Sequence, residues 1–480
     1  MFRLGGGQSI TSDSITGFAS SRGKSDDVSL ADERILDEVF NRFACGAEAS
    51  VLKLSRLSNI SRSLILSYSQ GIIDALPKLG STAGSRMEEV DQLLRSKRKR
   101  HSQFLEFMAA LCAQSSQVDF TTIRTLIDND ERLEATIALR SFLNSSKRHW
   151  VEPCVDHVGF LMAEKKHALR SLTSFPVTVA TVSGIDECFL YFDAYCVEHA
   201  DSSIGEVPVE GKGHGHVVLE FARAWIAVLE GLKIYKGRWR KSPAYNQLTF
   251  LSEEVKACTW ISCSAPILRC IARHVQRLAT FLDTDSHFRS RTTSTEWAEY
   301  LAGFITLTEH LLDLYAHSSR ANSTHGAVWQ EYIAFKKEFI ETMARHGMQD
   351  SSSRNGAINT ALQLSVRHHE YGTLLALCEF TGDAATLRSS MHADENFRTY
   401  VFRTYHSRQC ISDLIGFADD FETELLEYLE QFPEVKWMLQ ARLNLFSSAA
   451  ETLVKIDPVS PHCNALAVLS QMACSTRSDQ

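Results

Sequence analysis

Apolar residues recur along this chain at three- and four-residue intervals, the spacing that lines one face of an α-helix. Ile35, Val39 and Phe43 begin the pattern and predict a helix over 31–43. Further helices are expected over 48–79, 87–113 and 120–143. In the 87–113 segment Leu94, His101, Leu105, Met108 and Cys112 form one stripe. The pattern resumes over 216–233, 243–257, 265–282, 295–316 and 328–346, where Leu301, Phe304, Thr308, Leu311, Leu312 and Tyr315 share a face. Two stretches interrupt it. Residues 174–184 are β-branched and read as a loop, and 201–215 are Gly-rich and polar and read as a surface loop. Residues 1–29 are Gly/Ser-rich and read as a disordered tail, as do 474–480.

The rhythm changes near residue 355. A turn at 350–355 precedes short helices expected over 356–367, 370–380, 383–391, 394–407, 411–417, 420–431, 434–444, 445–455 and 462–473. Phe421, Leu425, Tyr428, Leu429 and Phe432 line one of them, and Val435, Leu439 and Leu443 line the next, which Pro433 opens without loss of a needed donor. A short helix with one narrow apolar face is not stable alone, so consecutive antiparallel helices must bury one another. The expectation is therefore an all-α chain: a long-helix solenoid segment over 30–355, then a short-helix segment over 356–473. No 34- or 40-residue motif repeats cleanly, so the solenoid is irregular rather than a tetratricopeptide or regular HEAT array.

Composition supports this reading. The 480 residues are 44% hydrophobic and 22% charged, which excludes wholesale disorder, and only 9 are proline. The net charge of −8 argues against a general nucleic-acid binder, which needs a basic field. The most apolar stretch, 222–232, is interrupted by Arg223 and Glu230 and falls short of a membrane span. The opening MFRLGGGQSITSDS has no apolar core of a secretory signal. The 12 cysteines form no CxxC pair and read as free thiols in a reducing compartment.

Few residue groups suggest chemistry. His214-Gly215-His216 resembles a metal pair, but no further ligand lies nearby in sequence, so a solvated loop is expected. Cys258, Cys263 and Cys270 lack zinc-knuckle spacing and read as core residues, as do Cys378 and Cys410. His368-His369 beside Glu370 has the residue types for acid–base work but no accompanying nucleophile, and reads as a surface pair. Gly5-Gly6-Gly7 lies in the tail, and no GxGxxG, P-loop or GxSxG motif occurs. The run Arg95-Ser96-Lys97-Arg98-Lys99-Arg100 reads either as an import signal or phosphate patch, or as a solvated helix face along which Lys97 lays its stem. No catalytic, cofactor-binding or metal residue is assigned, no cofactor is expected, and the partner-binding residues are unknown.

Two segments resemble the nucleoporin 133 family. One is LLRSKRKRHSQFLEFM (93–108) with the following helix ending LIDNDERLEATIALR, which is similar to the family's basic helix with its Phe-Leu-x-Phe core at Phe104, Leu105 and Phe107. The other, 394–453, is similar to the family's block of short helices. Its markers are Asn396-Phe397, Phe402-Arg403, Leu425 to Leu429, Trp437, and Phe446 to Leu453, and ALCEFTGDAATLRSSM precedes it. The resemblance runs over about 85–470, with the order of the blocks carrying most weight. It implies a structural component of the Y-shaped outer-ring coat of the nuclear pore, without enzymatic activity and located at the nuclear envelope. It further implies other coat nucleoporins as partners, a nucleoporin 107-type protein among them.

The family plan also has an N-terminal β-propeller, for which residues 1–29 are too short, so the propeller's membrane-sensing loop is not carried over. The chain ends soon after the second block, so the helices with which the family reaches its nucleoporin 107-type partner are expected to be missing. Phe104, Phe107, Phe397, Phe402, Leu425, Tyr428 and Trp437 are expected in the core. The same architecture also suits a vesicle-coat, tether or cargo-adaptor solenoid, a karyopherin-like receptor would require more regular repeats, and an enzyme would require a clustered set of titratable groups.

Overall fold

A computed structural model of the chain describes residues 27–46, 61–74, 86–114, 118–145, 149–165, 184–198, 214–284, 294–321, 326–349 and 354–478. Residues 1–26 of the expected tail, with Gly5-Gly6-Gly7, lie outside these, as do 174–183 and 201–213 of the two expected loops and the 350–353 turn. The described residues are α-helical with short connections and contain no strand: the fold is all-α, an irregular solenoid of packed helices. The chain divides into two compact units, Met1–Phe339 and Ile340–Gln480.

The first unit begins with α1 (Asp27–Ala44), α2 (Arg62–Asp74), α3 (Arg86–Gln114), α4 (Phe120–Ser145), α5 (Val151–Lys165) and α6 (Ile185–Cys196). It continues with α7 (His214–Trp239), α8 (Pro243–Gln247), α9 (Glu253–Ala257), α10 (Ala265–Thr284), α11 (Ser294–Ala321) and the first part of α12 (Gly326–Gln349). Helix α7 is central and packs on α4, α10 and α11. The sequence explains how closely it can approach: a Cβ on Gly231 would lie 2.6 Å from the Ala138 Cβ of α4, so only a glycine lets the two backbones meet there. Phe40, Phe104, Phe107 and Met108 join Leu126, Ile127, Tyr235 and Trp239 in one apolar cluster. Around α6, Phe189 stacks on Trp225 with centroids 4.0 Å apart, and both are fully buried.

Three sequence readings change here. The expected 243–257 helix is two five-residue helices. Ser242, followed by Pro243 at the first helical position, caps α8 through the Tyr245 N–H, and Ser252 caps α9 through the Val255 N–H. Between them Leu248 and Leu251 are buried. Residues 214 and 215, expected at the end of a loop, form the first turn of α7. Periodicity also does not predict α5 or α6, because Pro153 and the β-branched run before Gly184 obscure the pattern.

The second unit contains the rest of α12, then α13 (Arg354–Arg367), α14 (Tyr371–Thr381), α15 (Ala384–Ala393), α16 (Glu395–Ser407), α17 (Ile411–Gly416) and α18 (Ala418–Tyr428). A 3₁₀ turn (Leu429–Gln431) leads to α19 (Pro433–Arg442), α20 (Phe446–Ile456) and α21 (Pro461–Ser478). Each packs mainly on its neighbours in sequence: α13 on α14, α15 on α16, α19 on α20 and α20 on α21. Phe397, Phe402, Phe421, Leu425 and Leu439 form its main core. Tyr428 and Trp437, expected in that core, are only partly buried. Tyr428 lies at its margin, and Trp437 packs on a separate cluster of Ala449, Leu453, Cys463 and Leu466. The expected tail from 474 is helical as far as Ser478, since ACSTRS contains neither Gly nor Pro to end α21.

Four helices of this unit end in the same way. After α13, the Glu370 N–H donates to Ser365 O (2.8 Å) and the His369 N–H to Val366 O (3.4 Å). After α14, α16 and α19 the corresponding six-to-one bonds run from Asp383 to Cys378 (3.1 Å), Cys410 to Tyr405 (3.0 Å) and Leu445 to Gln440 (2.8 Å). The residue at each corner has positive φ: His369 (53°), Gly382 (68°), Gln409 (58°) and Asn444 (61°). These are Schellman endings, which satisfy the last carbonyls of a helix through the backbone alone. Two helices of this unit, α15 and α16, have acidic caps: Asp383 accepts from the Thr386 N–H (2.9 Å), and Asp394 from the Asn396 (2.9 Å) and Phe397 (3.2 Å) N–H groups.

Candidate functional site

The basic run on α3 faces inward more than the sequence suggests. Lys97 is fully buried and its ammonium donates to Ile73 O at 2.5 Å. Arg100 is also buried. Its guanidinium donates to Asp37 (3.2 Å), Asn41 (3.1 Å) and the Tyr68 hydroxyl (2.9 Å) and lies over the Phe40 ring at 5.0 Å. Arg98 pairs with Glu134 at 3.3 Å. Arg95 and Lys99 are exposed, so the run is a solvated face in part, with Lys97 and Arg100 turned into the core. Three of its five cations, Lys97, Arg98 and Arg100, are held by α2, α4 and α1 within a continuous helix, which does not suit an extended import peptide.

One turn further along α3 the structure assembles a group that spacing could not show. The Ser69 hydroxyl lies 2.8 Å from His101 Nε2, and His101 Nδ1 lies 3.0 Å from Asp130 Oδ1. With Nδ1–H donating to the carboxylate, Nε2 accepts from the serine, which is the order of a catalytic triad. Burial decides against that role: Ser69, His101 and Asp130 are 0%, 0% and 1% exposed, so no substrate reaches the hydroxyl. Asn129 donates to Ser69 (3.0 Å) and Ser102 to Asp130 (3.0 Å), which completes a satisfied core network joining α2, α3 and α4.

The network continues toward α7. Glu131, fully buried, pairs with Lys236 at 2.6 Å and accepts the Trp260 N–H at 2.6 Å. Lys236 also donates to Lys256 O (3.0 Å) and Cys258 O (2.7 Å). Burial, with Asp130 and Glu131 nearby, pushes the Tyr235 hydroxyl far above its usual range. On α10, His274 is enclosed between Cys196 Sγ (3.6 Å) and Cys270 O (3.0 Å), and burial lowers its pKa to about 4. Asp193 holds Arg273 and Arg277. Burial works against its charge, but the hydrogen bonds from the two arginines outweigh it and leave the carboxyl below the usual range.

The residues singled out in the sequence are scattered. His216 lies 4.0 Å from Glu296, and the side chain of His214 lies outside the described set. Among the described residues no cluster of three or more His, Cys, Asp or Glu is arranged to hold a metal. His368 is buried, not at the surface, and His369 pairs with Asp394 (2.9 Å), not Glu370. Tyr371 donates to the same carboxylate at 2.8 Å. Burial opposes the charge of Asp394, but these hydrogen bonds and those of the cap win, so its pKa is lowered. Cys270 and Cys378 are buried, as expected, and burial raises both thiols to about 11. Cys263 is exposed and Cys410 only partly covered, which corrects the core reading for both: each sits in a turn between helices, not on an apolar stripe.

Each unit has an open cleft among its described residues. One of about 530 Å³ in the first unit is lined by Arg240, Tyr245, Glu253, Glu254, His317 and Arg320. The other, about 870 Å³ in the second unit, has Arg403, His406, Tyr428 and Phe432 on its walls. Tyr245 donates to Glu253 in the first, and the Tyr428 hydroxyl lies 3.4 Å from His406 Nδ1 in the second. No helix among the described residues is long and apolar enough to cross a membrane.

The buried polar groups described above thus bind this chain's own helices to one another, as in an α-helical scaffold protein. No protein-family model matches the chain. It is similar to nuclear pore complex protein NUP133 of Arabidopsis thaliana, with 21% identity over 468 residues, covering 88% of this chain and 36% of the relative. It is also similar to nuclear pore complex protein Nup133 of Mus musculus, with 23% identity over 342 residues, covering 68% of this chain and 27% of the relative. The chain spans about a third or less of the length of these curated relatives. Through its helical part it is related to the Nup133 nucleoporin family.

Proposed function

We propose that this chain is a structural scaffold nucleoporin, contributing helical surfaces to the outer-ring coat of the nuclear pore complex at the nuclear envelope. The observation that carries the reading is the similarity to NUP133 across 88% of the chain. The structure adds a physical reason: the charged groups most buried in the first unit are engaged in holding helices together, which suits a rigid element of an assembly. In this reading the chain acts through protein–protein contacts with other coat nucleoporins, a nucleoporin 107-type protein among them, and supports transport of mRNA and protein without catalysing a reaction.

The test is to tag the protein at its own locus, image it, and identify co-purifying proteins by mass spectrometry. A punctate nuclear rim and recovery of outer-ring nucleoporins are expected. Recovery of Golgi or endosomal coat subunits, with no rim signal, would overturn the reading in favour of a vesicle-coat or cargo adaptor.

A further inference from the structure

The cleft of the second unit contains a cation that the fold leaves unmatched. One wall is a face of α16 on which Thr399, Arg403 and His406 follow at helical spacing. The other comes from the end of α18, the 3₁₀ turn and the start of α19, with Tyr428 and Phe432. Both rings, with Ile411, sit half-buried at the margin of the main core, so the floor of the cleft is fixed by packing that the fold already needs. His406 meets Phe432 edge-on with centroids 4.2 Å apart, and Phe432 lies 5.5 Å from Tyr428.

Neighbouring arginines show what Arg403 lacks. Arg388, Arg398, Arg408 and Arg442 each pair with a carboxylate of their own unit: Asp420 (3.0 Å), Glu424 (3.6 Å), Glu379 (2.9 Å) and Asp419 (3.1 Å). Arg403 is exposed and has no ion pair among the described residues, although it lies near enough to Tyr428 to oppose the rise that burial imposes on that hydroxyl. Glu434, the one carboxylate among the lining residues, stands in the first turn of α19, where it complements that helix's own N-terminus. The cleft thus has a positive side and an apolar floor. A guanidinium in this position is matched by a carboxylate, which it can hold through two parallel N–H bonds. The half-buried rings are matched by an apolar side chain within one turn of that carboxylate. Both walls are mainly helical, with backbone groups spent on their own bonds, so a guest must satisfy its backbone internally, as an α-helix does. Thr399 to His406 spans about two helical turns, or about 10 Å of contact.

We propose that this cleft is a docking site for an amphipathic helix of a partner protein, with an Asp or Glu of the guest on Arg403 and a Leu or Phe one turn away against Phe432 and Tyr428. The proposal rests on the scaffold reading only in taking the ligand to be a protein, and it gives one such contact a place and a chemistry. Arg403 selects the guest by charge, and the rings hold it by burial.

The experiment selects a displayed library of helical peptides, randomised on one face, against the purified full chain, and titrates the enriched peptides by fluorescence anisotropy. Enriched peptides should carry a carboxylate one turn from Leu or Phe. Arg403→Glu should weaken them about tenfold, and a peptide with Lys in place of its carboxylate should recover the loss on that variant. Arg403 is exposed, so the change leaves the core intact, which circular dichroism checks. Added salt should weaken binding to the wild-type chain. No enriched peptide, enriched peptides without an acid, or affinities that Arg403→Glu leaves unchanged would each overturn the proposal. So would sedimentation showing self-association that Arg403→Glu abolishes, since the occupant would then be a second copy. The assay uses pure components, so its failure leaves the nuclear-rim and co-purification test of the scaffold reading untouched.

Discussion

Glu131 offers the sharpest test of how the first unit is held together. Its carboxylate is fully buried, 2.6 Å from the Lys236 ammonium, and accepts the Trp260 N–H. Glu131→Ala leaves a buried cation without its counter-charge, a change that typically costs ~3–5 kcal/mol, and orphans an amide worth ~1–3 kcal/mol. Lys236 keeps two carbonyl acceptors, Lys256 O and Cys258 O, which softens the loss. A net destabilisation of about 3–5 kcal/mol is therefore expected, with Glu131→Gln, which keeps an acceptor for Trp260, costing about half as much. Urea unfolding followed by circular dichroism gives the magnitude, and hydrogen exchange at the Trp260 amide gives the place. In a cycle with Lys236→Met the two changes should be coupled by about 2 kcal/mol or more, because the second removes the charge that the first strands. A loss below about 1 kcal/mol, or additive single changes, would refute the reasoning.

Gly231→Ala should destabilise by about 1–3 kcal/mol through overpacking against Ala138, whereas Gly356→Ala, where a Cβ meets nothing within 4 Å, should be neutral or stabilising by about 0.5–1 kcal/mol in the same urea melts. His274 is neutral in the folded chain down to about pH 4 but takes a proton near pH 6.5 when unfolded. Its contribution is thus complete above pH 6.5 and fades as pH falls toward 4, by up to about 3 kcal/mol, and His274→Gln should flatten that part of the stability–pH curve. Trp437→Ala should cost about 2 kcal/mol, less than the ~3–5 kcal/mol of a fully buried ring, because Trp437 is only half-buried against Leu453 and His462. Asn444→Gly should stabilise slightly, by about 0.5–1 kcal/mol, by relieving a positive φ, with thermal melting as the check.

The second unit was the more legible. Its helices follow a local period, each packs on the next, and Pro433 and Asp394 mark starts where they are found. The stops were less clear, because only Gly382 among the four corners is the residue that left-handed backbone advertises. In the first unit the apolar stripes gave helices but not their partners, since α4 meets α7 across a long span of sequence. The polar network was illegible for the same reason. Ser69, His101, Asp130, Glu131 and Lys236 lie on four helices, and a charged residue on a stripe reads as an exception until its partner is seen. The basic run was legible only in part, because periodicity places Lys97 on the apolar face without saying that Ile73 O waits there.

The four Schellman corners bear on how such a chain can drift over generations. Each joint is closed by two main-chain bonds, so the side chain at the corner is nearly free to change. Histidine, glycine, glutamine and asparagine all occupy the position here. What selection must keep is an apolar face on each helix and a backbone able to turn, and many sequences satisfy both. Such a lineage can lose most of its shared letters while the succession of helices persists, consistent with relatives at 21% and 23% identity that still align over long stretches of this chain.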